Sequence, residues 1–535
     1  SDQMAINGTK KIQIPWKRVI VAFCFLMINI INQRYHTGSG LDGIVETFRD
    51  LVGVPIAVLI VIHYKWEDFR KYKIPYLIWT GVGILGGILF WNLSGDLIYF
   101  ANDRITVILE VFLYGYIVIH TFISVVIEKK YPKLNQKYAI LWLVMMLLMV
   151  VSRSTYIWPL AFLIMFGCFY LTDYTKQEQD DIYQGMLDGI ILSFFVFQAY
   201  CCMFRPFDTW DNRYKAIFNN SNHAALFYCM VLAVIGAKIM QVYKKKTHWI
   251  WKAWYLIFAA AVYSLLFMTI GRVGWIVGFL TGILVLMFIV HLTHKKNFIR
   301  NGIALLLCTC ILFVPVFSIV RYTPALFHHP VWFWGEWDRD RVHAWDPWDS
   351  WKYVDLNEFM ETALGRIATS VSELFSSSPF AIRAYAAEPN KIPMFAAFPD
   401  GFTMRRTIYQ YYFEHLNLFG HPYAEQGFQM TATYWIGHAH DIYLQFGTDF
   451  GIIAMILLII LMGWGAVIAI RKFWRDDNTK AAGSLFLFLV PCVFGIVEYC
   501  WGVGSLTIPV LFVLTRNVLC DGGMEDVCSS EENNR

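Results

Sequence analysis

The chain is 535 residues long, 57% hydrophobic, 17% aromatic and 16% charged, with a mean hydropathy of +0.47. A soluble domain carries roughly 25% charged residues, so an ordinary water-facing globular fold is excluded and much of the surface must meet something other than water. The net charge of +4 is too small to imply a nucleic-acid partner, and the Lys and Arg residues sit in short clusters between apolar runs. The 11 cysteines show neither a disulfide framework nor zinc spacing: Cys24, Cys168, Cys308, Cys310 and Cys492 lie inside apolar runs and Cys201 and Cys202 are adjacent, so they read as small apolar residues.

Lys10, Lys11, Lys17 and Arg18 precede a first apolar run that no small-residue cleavage site follows, which reads as a membrane helix rather than a removed signal. A bilayer span takes about 20 apolar residues. Apolar centres fall at Val19–Ile31, Leu51–Ile62, Tyr76–Trp91, Ile105–Ile127, Ala139–Val151, Trp158–Leu171 and Met186–Met203. They continue at Ala224–Met240, Trp254–Met268, Val273–Val290, Ile303–Val320, Ile442–Ile470, Leu485–Val497 and Val503–Leu514. That predicts an all-α polytopic membrane protein of about 12–14 spans. With the N-terminus inside, the basic connections Lys65–Lys73, Glu128–Lys137, Lys244–Lys252, Lys295–Arg300 and Arg471–Lys480 all fall on the cytoplasmic side. The opposite connections, Asn92–Arg104 and Phe204–His223, are poorer in basic residues, and both termini are expected in the cytoplasm.

One connection is far longer than the rest, and long loops of this kind are usually functional. The division expected is therefore N-terminal spans over 1–185, core spans over 186–322, a large extracytoplasmic loop over 323–438, C-terminal spans over 439–516 and a cytoplasmic tail over 517–535. The first half of the loop, Val331 to Tyr353, carries six tryptophans, and the second half holds helix-like stretches at Asn357–Phe375 and Met404–Leu416.

Four stretches place polar chemistry at the outer ends of spans. Gly437-His438-Ala439-His440-Asp441-Ile442-Tyr443-Leu444-Gln445 re-enters the membrane after the large loop, and a histidine's ordinary pKa of about 6.5 suits proton transfer. His438, His440 and Asp441 supply too few ligands for a metal by themselves. Thr269-Ile270-Gly271-Arg272-Val273-Gly274 sets one arginine between two apolar runs; such an arginine marks function or snorkels to the headgroups. Arg213 and the Asn219-Asn220-Ser221-Asn222-His223 run enter another span, where the amides either cap the helix or bind substrate. Met404-Arg405-Arg406-Thr407-Ile408-Tyr409 lies in the loop, with Arg366 a rival for the same role. Together they point to one anion-handling site on the outer face.

These motifs, in this order, resemble those of the O-antigen ligase and O-antigen polymerase superfamily of bacterial envelope enzymes. The resemblance runs from about Arg213 to Ile470, with Phe218 to Asn222, Thr269 to Gly274, Arg405 to Tyr409 and His438 to Gln445 as its signatures. Ser221, Gly271, Met404 and Asp441 depart from the usual residues. The resemblance implies a GT-C-like glycosyltransferase of the bacterial cytoplasmic membrane, metal-independent and inverting, with no cofactor. The donor would be a glycan on undecaprenyl pyrophosphate and the acceptor a glycan, lipid or protein hydroxyl. It implies His440 as general base, Arg272 and Arg405 as stabilisers of the leaving pyrophosphate, and Arg213, Asn220, Asn222, Arg366, Arg406, His438 and Asp441 as substrate-binding residues, with Asp441 placed to orient the His440 imidazole. A transporter or flippase of the same lipids, or a protein O-oligosaccharyltransferase, is the alternative.

Overall fold

A computed structural model describes residues 15–31, 62–94, 101–132, 136–155, 157–204, 212–218, 220–327, 331–332, 344–345, 355–376, 401–422, 428–431, 434–500 and 507–519. Most of the expected span at 51–62, most of the tryptophan-rich half of the loop, and the tail from 520 lie outside them. Among the described residues, eight helices are long and apolar enough to cross a membrane, and three shorter apolar helices accompany them. The protein is a multi-pass helical membrane protein.

In chain order the helices are α1 (Trp16–Ile31), α2 (Trp66–Lys71), α3 (Lys73–Leu93), α4 (Ala101–Phe122), α5 (Gln136–Ser152), α6 (Ile157–Tyr170) and α7 (Lys176–Phe204). Then follow α8 (Ser221–Lys244), α9 (Trp249–Met268), α10 (Arg272–Thr293) and α11 (Phe298–Tyr322). The long connection contributes α12 (Leu356–Ser376) and α13 (Gly401–Glu414), and α14 (Ile442–Phe450), α15 (Ile452–Asp476), α16 (Thr479–Phe494) and α17 (Thr507–Leu519) complete the chain. Two short antiparallel ladders, Val331–Trp332 with Ala344–Trp345 and Phe428–Thr431 with Tyr434–Ile436, lie in the same connection. The boundary expected at 185/186 falls inside α7, whose polar first turns continue directly into the apolar span.

α8 is the axis of the bundle. Its residues from Tyr228 to Ala237 are buried without interruption, and it packs on α7, α9, α10 and α16. Apolar side chains gain nothing by leaving lipid for other apolar side chains, so small residues that let helices touch decide where membrane helices meet. A Cβ on Gly274 of α10 would lie 2.6 Å from the Cβ of Ala225, and one on Gly483 of α16 would lie 2.6 Å from that of Ala237. Those two contacts seat α10 and α16 on either end of α8. At the end of α8 away from the long connection, Asp188 of α7 accepts from Arg18 Nε of α1 at 2.5 Å and from Lys238 Nζ of α8 at 2.7 Å. This mixed-charge knot sits beside a small-residue seam, where a Cβ on Gly185 or Gly189 of α7 would come within 2.8 Å of the α1 backbone at Arg18 O or Ala22 O, and the two together pin α1, α7 and α8.

One expected span is corrected. Ile442–Ile470 is two helices, α14 and α15, broken at Gly451, which has φ +99°. The connection from α13 drives the break: Asn417 O accepts from Ile452 N at 2.8 Å, and a Cβ on Gly451 would come within 2.3 Å of Leu418 O. Gly420, at φ +79°, meets Asp449 O equally closely. The two glycines let the loop backbone thread against the helix break, which follows the polar residues Gln445, Thr448 and Asp449.

Replacing Gly451 with Ala adds a strained left-handed residue and a backbone collision, costing on the order of 1–3 kcal/mol or more. Thermal unfolding in detergent should fall clearly for Gly451→Ala and stay level or rise slightly for Gly463→Ala, a helical glycine with open space around it. Equal midpoints for the two variants would contradict the threaded break.

Candidate active site at the buried carboxylate

The segments that meet at one end of the bundle are each held there by local chemistry. α8 begins at Asn220, whose side chain accepts from Asn222 N at 2.8 Å, an ordinary N-cap. The preceding stretch is tied to the α9–α10 turn: Tyr214 N donates to Met268 O at 2.9 Å and Arg213 Nε to Thr269 O at 3.0 Å. That turn is tight, with Ile270 at φ +49° and Thr269 Oγ1 accepting from Gly271 N. Gly271 caps α10, so Arg272 is its first residue, half-buried, and a Cβ on Gly271 would lie 3.8 Å from Asn222 Oδ1. The N-termini of α8 and α10 thus stand side by side.

The His438–Asp441 stretch arrives from the long connection. Asp441 caps α14, accepting from Tyr443 N at 2.8 Å and Leu444 N at 2.9 Å. Ile442 N donates to Gly495 O at 2.7 Å, fastening this stretch to the end of α16. His440 sits at φ +52°, a region that non-glycine residues occupy at a cost of order 1–3 kcal/mol. Its backbone is held from both sides: its N–H donates to His438 Nδ1 at 3.3 Å and its carbonyl accepts from the Tyr409 hydroxyl of α13 at 3.4 Å. His438 stacks on Tyr499, with ring centroids 5.1 Å apart. Burial, helped by the neighbouring His440 charge, pushes the pKa of His438 down to about 4. It is therefore neutral at pH 7, as accepting a hydrogen bond at Nδ1 requires.

The focus of the site is Glu498, in the turn after α16. Its side chain is 4% exposed, yet three segments converge on it. His440 Nδ1 lies 3.2 Å from Oε1, Asn222 Nδ2 donates to Oε2 at 3.0 Å, and Arg405 Nη2 of α13 approaches Oε2 at 3.4 Å. Arg213 Nη2 then donates to Asn222 Oδ1 at 3.2 Å, orienting that amide toward the carboxylate. Burial is the largest influence on Glu498 and by itself raises its pKa. The hydrogen bond and charge of His440, then the charges of His223 and Arg405, together outweigh it and hold the carboxyl down to about 2.

Of the residues singled out from the sequence, His440, Arg405, Asn222 and Arg213 are gathered in this network, and His438 supports it from behind. Asn220 and Asp441 are helix caps, so the expectation that Asp441 orients the imidazole is corrected: both its capping bonds use Oδ1, and Glu498 carries the imidazole contact. Arg366 lies on the exposed part of α12 and Arg406 is exposed beside Arg405, which settles the loop arginine that meets the carboxylate as Arg405. Glu498 itself was missed. The signal was present, because it is an acidic residue between two hydrophobic stretches, Leu485–Val497 and Val503–Leu514, and such residues default to function. Among the described residues no group of three or more His, Cys, Asp or Glu is placed to hold a metal ion.

The depressed pKa fixes a pH window. Glu498's charged interactions stabilise the fold fully above the ordinary carboxyl value near 4.5 and are lost as the pH falls toward about 2. Infrared difference spectra of wild type against Glu498→Gln should show an ionised carboxylate throughout the neutral and mildly acidic range, with the protonated band emerging only as pH approaches about 2. A protonated band already present at neutral pH would contradict this network.

Comparison with protein-family models, with curated proteins and with solved structures finds no match to this chain.

Proposed function

We propose that this protein is a membrane glycosyltransferase that moves a glycan from a polyprenyl pyrophosphate carrier to an acceptor hydroxyl, of the O-antigen ligase or polymerase type. The observation that carries the reading is the buried Glu498 carboxylate shared by His440, Arg405 and Asn222. A carboxylate on Nδ1 selects the imidazole tautomer whose lone pair is at Nε2, and it stabilises the imidazolium formed when that nitrogen takes a proton. His440 accepts the acceptor's hydroxyl proton at Nε2 while the hydroxyl oxygen bonds to the anomeric carbon. The bond from that carbon to the phosphate oxygen breaks, and the electron pair leaves with the pyrophosphate. Charge grows on that leaving group, and the guanidinium groups of Arg272, Arg405 and Arg213 are suited to it, because guanidinium forks match phosphate oxygens. The adjacent N-termini of α8 and α10 favour an anion in the same place.

The membrane setting fits a lipid-borne donor, whose tail stays in the bilayer while its head reaches residues at the helix ends. Basic connections on the opposite face support an extracytoplasmic position for the site in a bacterial cytoplasmic membrane. The acceptor classes are those the resemblance implies: another glycan, a lipid or a protein.

Purified protein supplied with an undecaprenyl-pyrophosphate-linked glycan should yield a ladder of products if the acceptor is a second lipid-linked glycan, and a single shift if it is a lipid or protein. Transfer should persist in EDTA. His440→Ala should lower it about a hundred- to ten-thousand-fold, and Glu498→Gln should lower kcat by about tenfold or more with little change in KM. Movement of the lipid across liposomes without transfer would replace this reading with that of a flippase.

A further inference from the structure

The end of α8 to α11 away from Glu498 holds a second feature that the transfer reading does not use. A cavity of about 200 Å³ opens between these four helices, lined among others by Gly236, Tyr255, Ala259, Gly282, Ala304 and Leu305. Several of its walls are only half-buried, so it is a side pocket of the bundle rather than a sealed void. Small residues create it: any side chain on Gly236 would collide with Val285, and on Gly282 with the Tyr263 hydroxyl, which closes the deep end by donating to Gly278 O at 2.8 Å. From Lys252 at the mouth to Tyr263 at the floor, α9 advances roughly 16 Å at 1.5 Å per residue. A hydrocarbon core is roughly 30 Å thick, so the pocket is as deep as one leaflet.

The mouth is cationic. Lys252 lines it and holds its ammonium 4.5 Å from the centre of the Tyr243 ring. Lys245, Lys246, Lys295 and Lys296 are exposed in the flanking turns and Arg300 in the first turn of α11. No Asp or Glu occurs anywhere from Asn212 to Gly335. The acidic groups that approach from other elements are Asp477, which faces His291 at 3.5 Å and whose backbone carbonyl accepts from Lys244, and Asp188 of α7, which Arg18 and Lys238 hold.

We propose that this pocket is a binding site for an anionic glycerophospholipid of the leaflet opposite the Glu498 site, with one acyl chain between α8 and α11 and its phosphate at Lys252. An apolar slot one leaflet deep takes a chain, and a rim in which the exposed cations of the 212–335 segment outnumber the carboxylates brought by other elements selects a negatively charged headgroup over a zwitterionic one.

Native mass spectrometry of the full-length protein, titrated with phosphatidylglycerol and separately with phosphatidylethanolamine, tests it without recourse to transferase activity. Wild type should retain the anionic lipid about tenfold better, which corresponds to about 1.4 kcal/mol. Ala304→Trp, which fills the slot, should lose the bound lipid. Lys252→Glu, at the mouth, should remove the preference for the anionic lipid while leaving the helical content in detergent unchanged. Equal retention of the two lipids by wild type, or an undiminished preference in Lys252→Glu, would overturn the proposal, whatever the outcome for Ala304→Trp.

Discussion

The side chains that meet at the start of α8 depend on one buried negative charge. Taking a carboxylate out of water costs several kcal/mol even in a relaxed protein interior, so a 4%-exposed Glu498 is tenable only if donors surround it. They come from far apart in the chain: Asn222 from the start of α8, Arg405 from the long connection, and His440 from the turn before α14. Local contacts hold each segment near the site, and the carboxylate gives their side chains one shared partner. With it, a base, an amide and a guanidinium are fixed within hydrogen-bonding distance of a single group.

The bundle makes that convergence possible by setting helix ends level with one another. The contact of Gly274 with Ala225 brings the N-terminus of α10 alongside that of α8, and the bond from Ile442 N to Gly495 O locks the histidine stretch to the end of α16. His440 then takes a left-handed backbone conformation, held by His438 and Tyr409. Strain of this kind persists where surrounding contacts over-determine a residue, and here they do so at the proposed base. The opposite end is chemically different, with Asp188 holding Arg18 and Lys238 together and a basic rim around the lipid-sized pocket. A proposed catalytic end and a proposed lipid-anchoring end are thereby separated by the length of the helices.

Hydropathy located these spans because long apolar runs have no other stable home: α3 and α7 to α11 contain the centres expected of them, and the centre expected at Ile105–Ile127 runs from α4 into the π-helical turn Ile123–Ile127 that follows it. It failed at 442–470, where one run was read across Gln445, Thr448 and Asp449 although these polar residues and Gly447 mark the break that the opposing loop backbone makes at Gly451. Among site residues, His440, Arg405 and Asn222 were legible from residue type and position at span ends. Asp441 was misread because a carboxylate next to a histidine in sequence looks like its partner, whereas in the fold it caps a helix.

By itself, then, the sequence determined that the chain is helical and membrane-spanning, and which polar residues stand at the ends of its helices. Those properties follow from composition, run length and local capping chemistry, all of which act between near neighbours. Only the tertiary structure decided which of those residues meet, that Glu498 rather than Asp441 takes the imidazole, and that Arg405 rather than Arg366 joins it. His440 and Glu498 are 58 positions apart and Asn222 and Glu498 are 276, and pairings at such distances are set by helix packing.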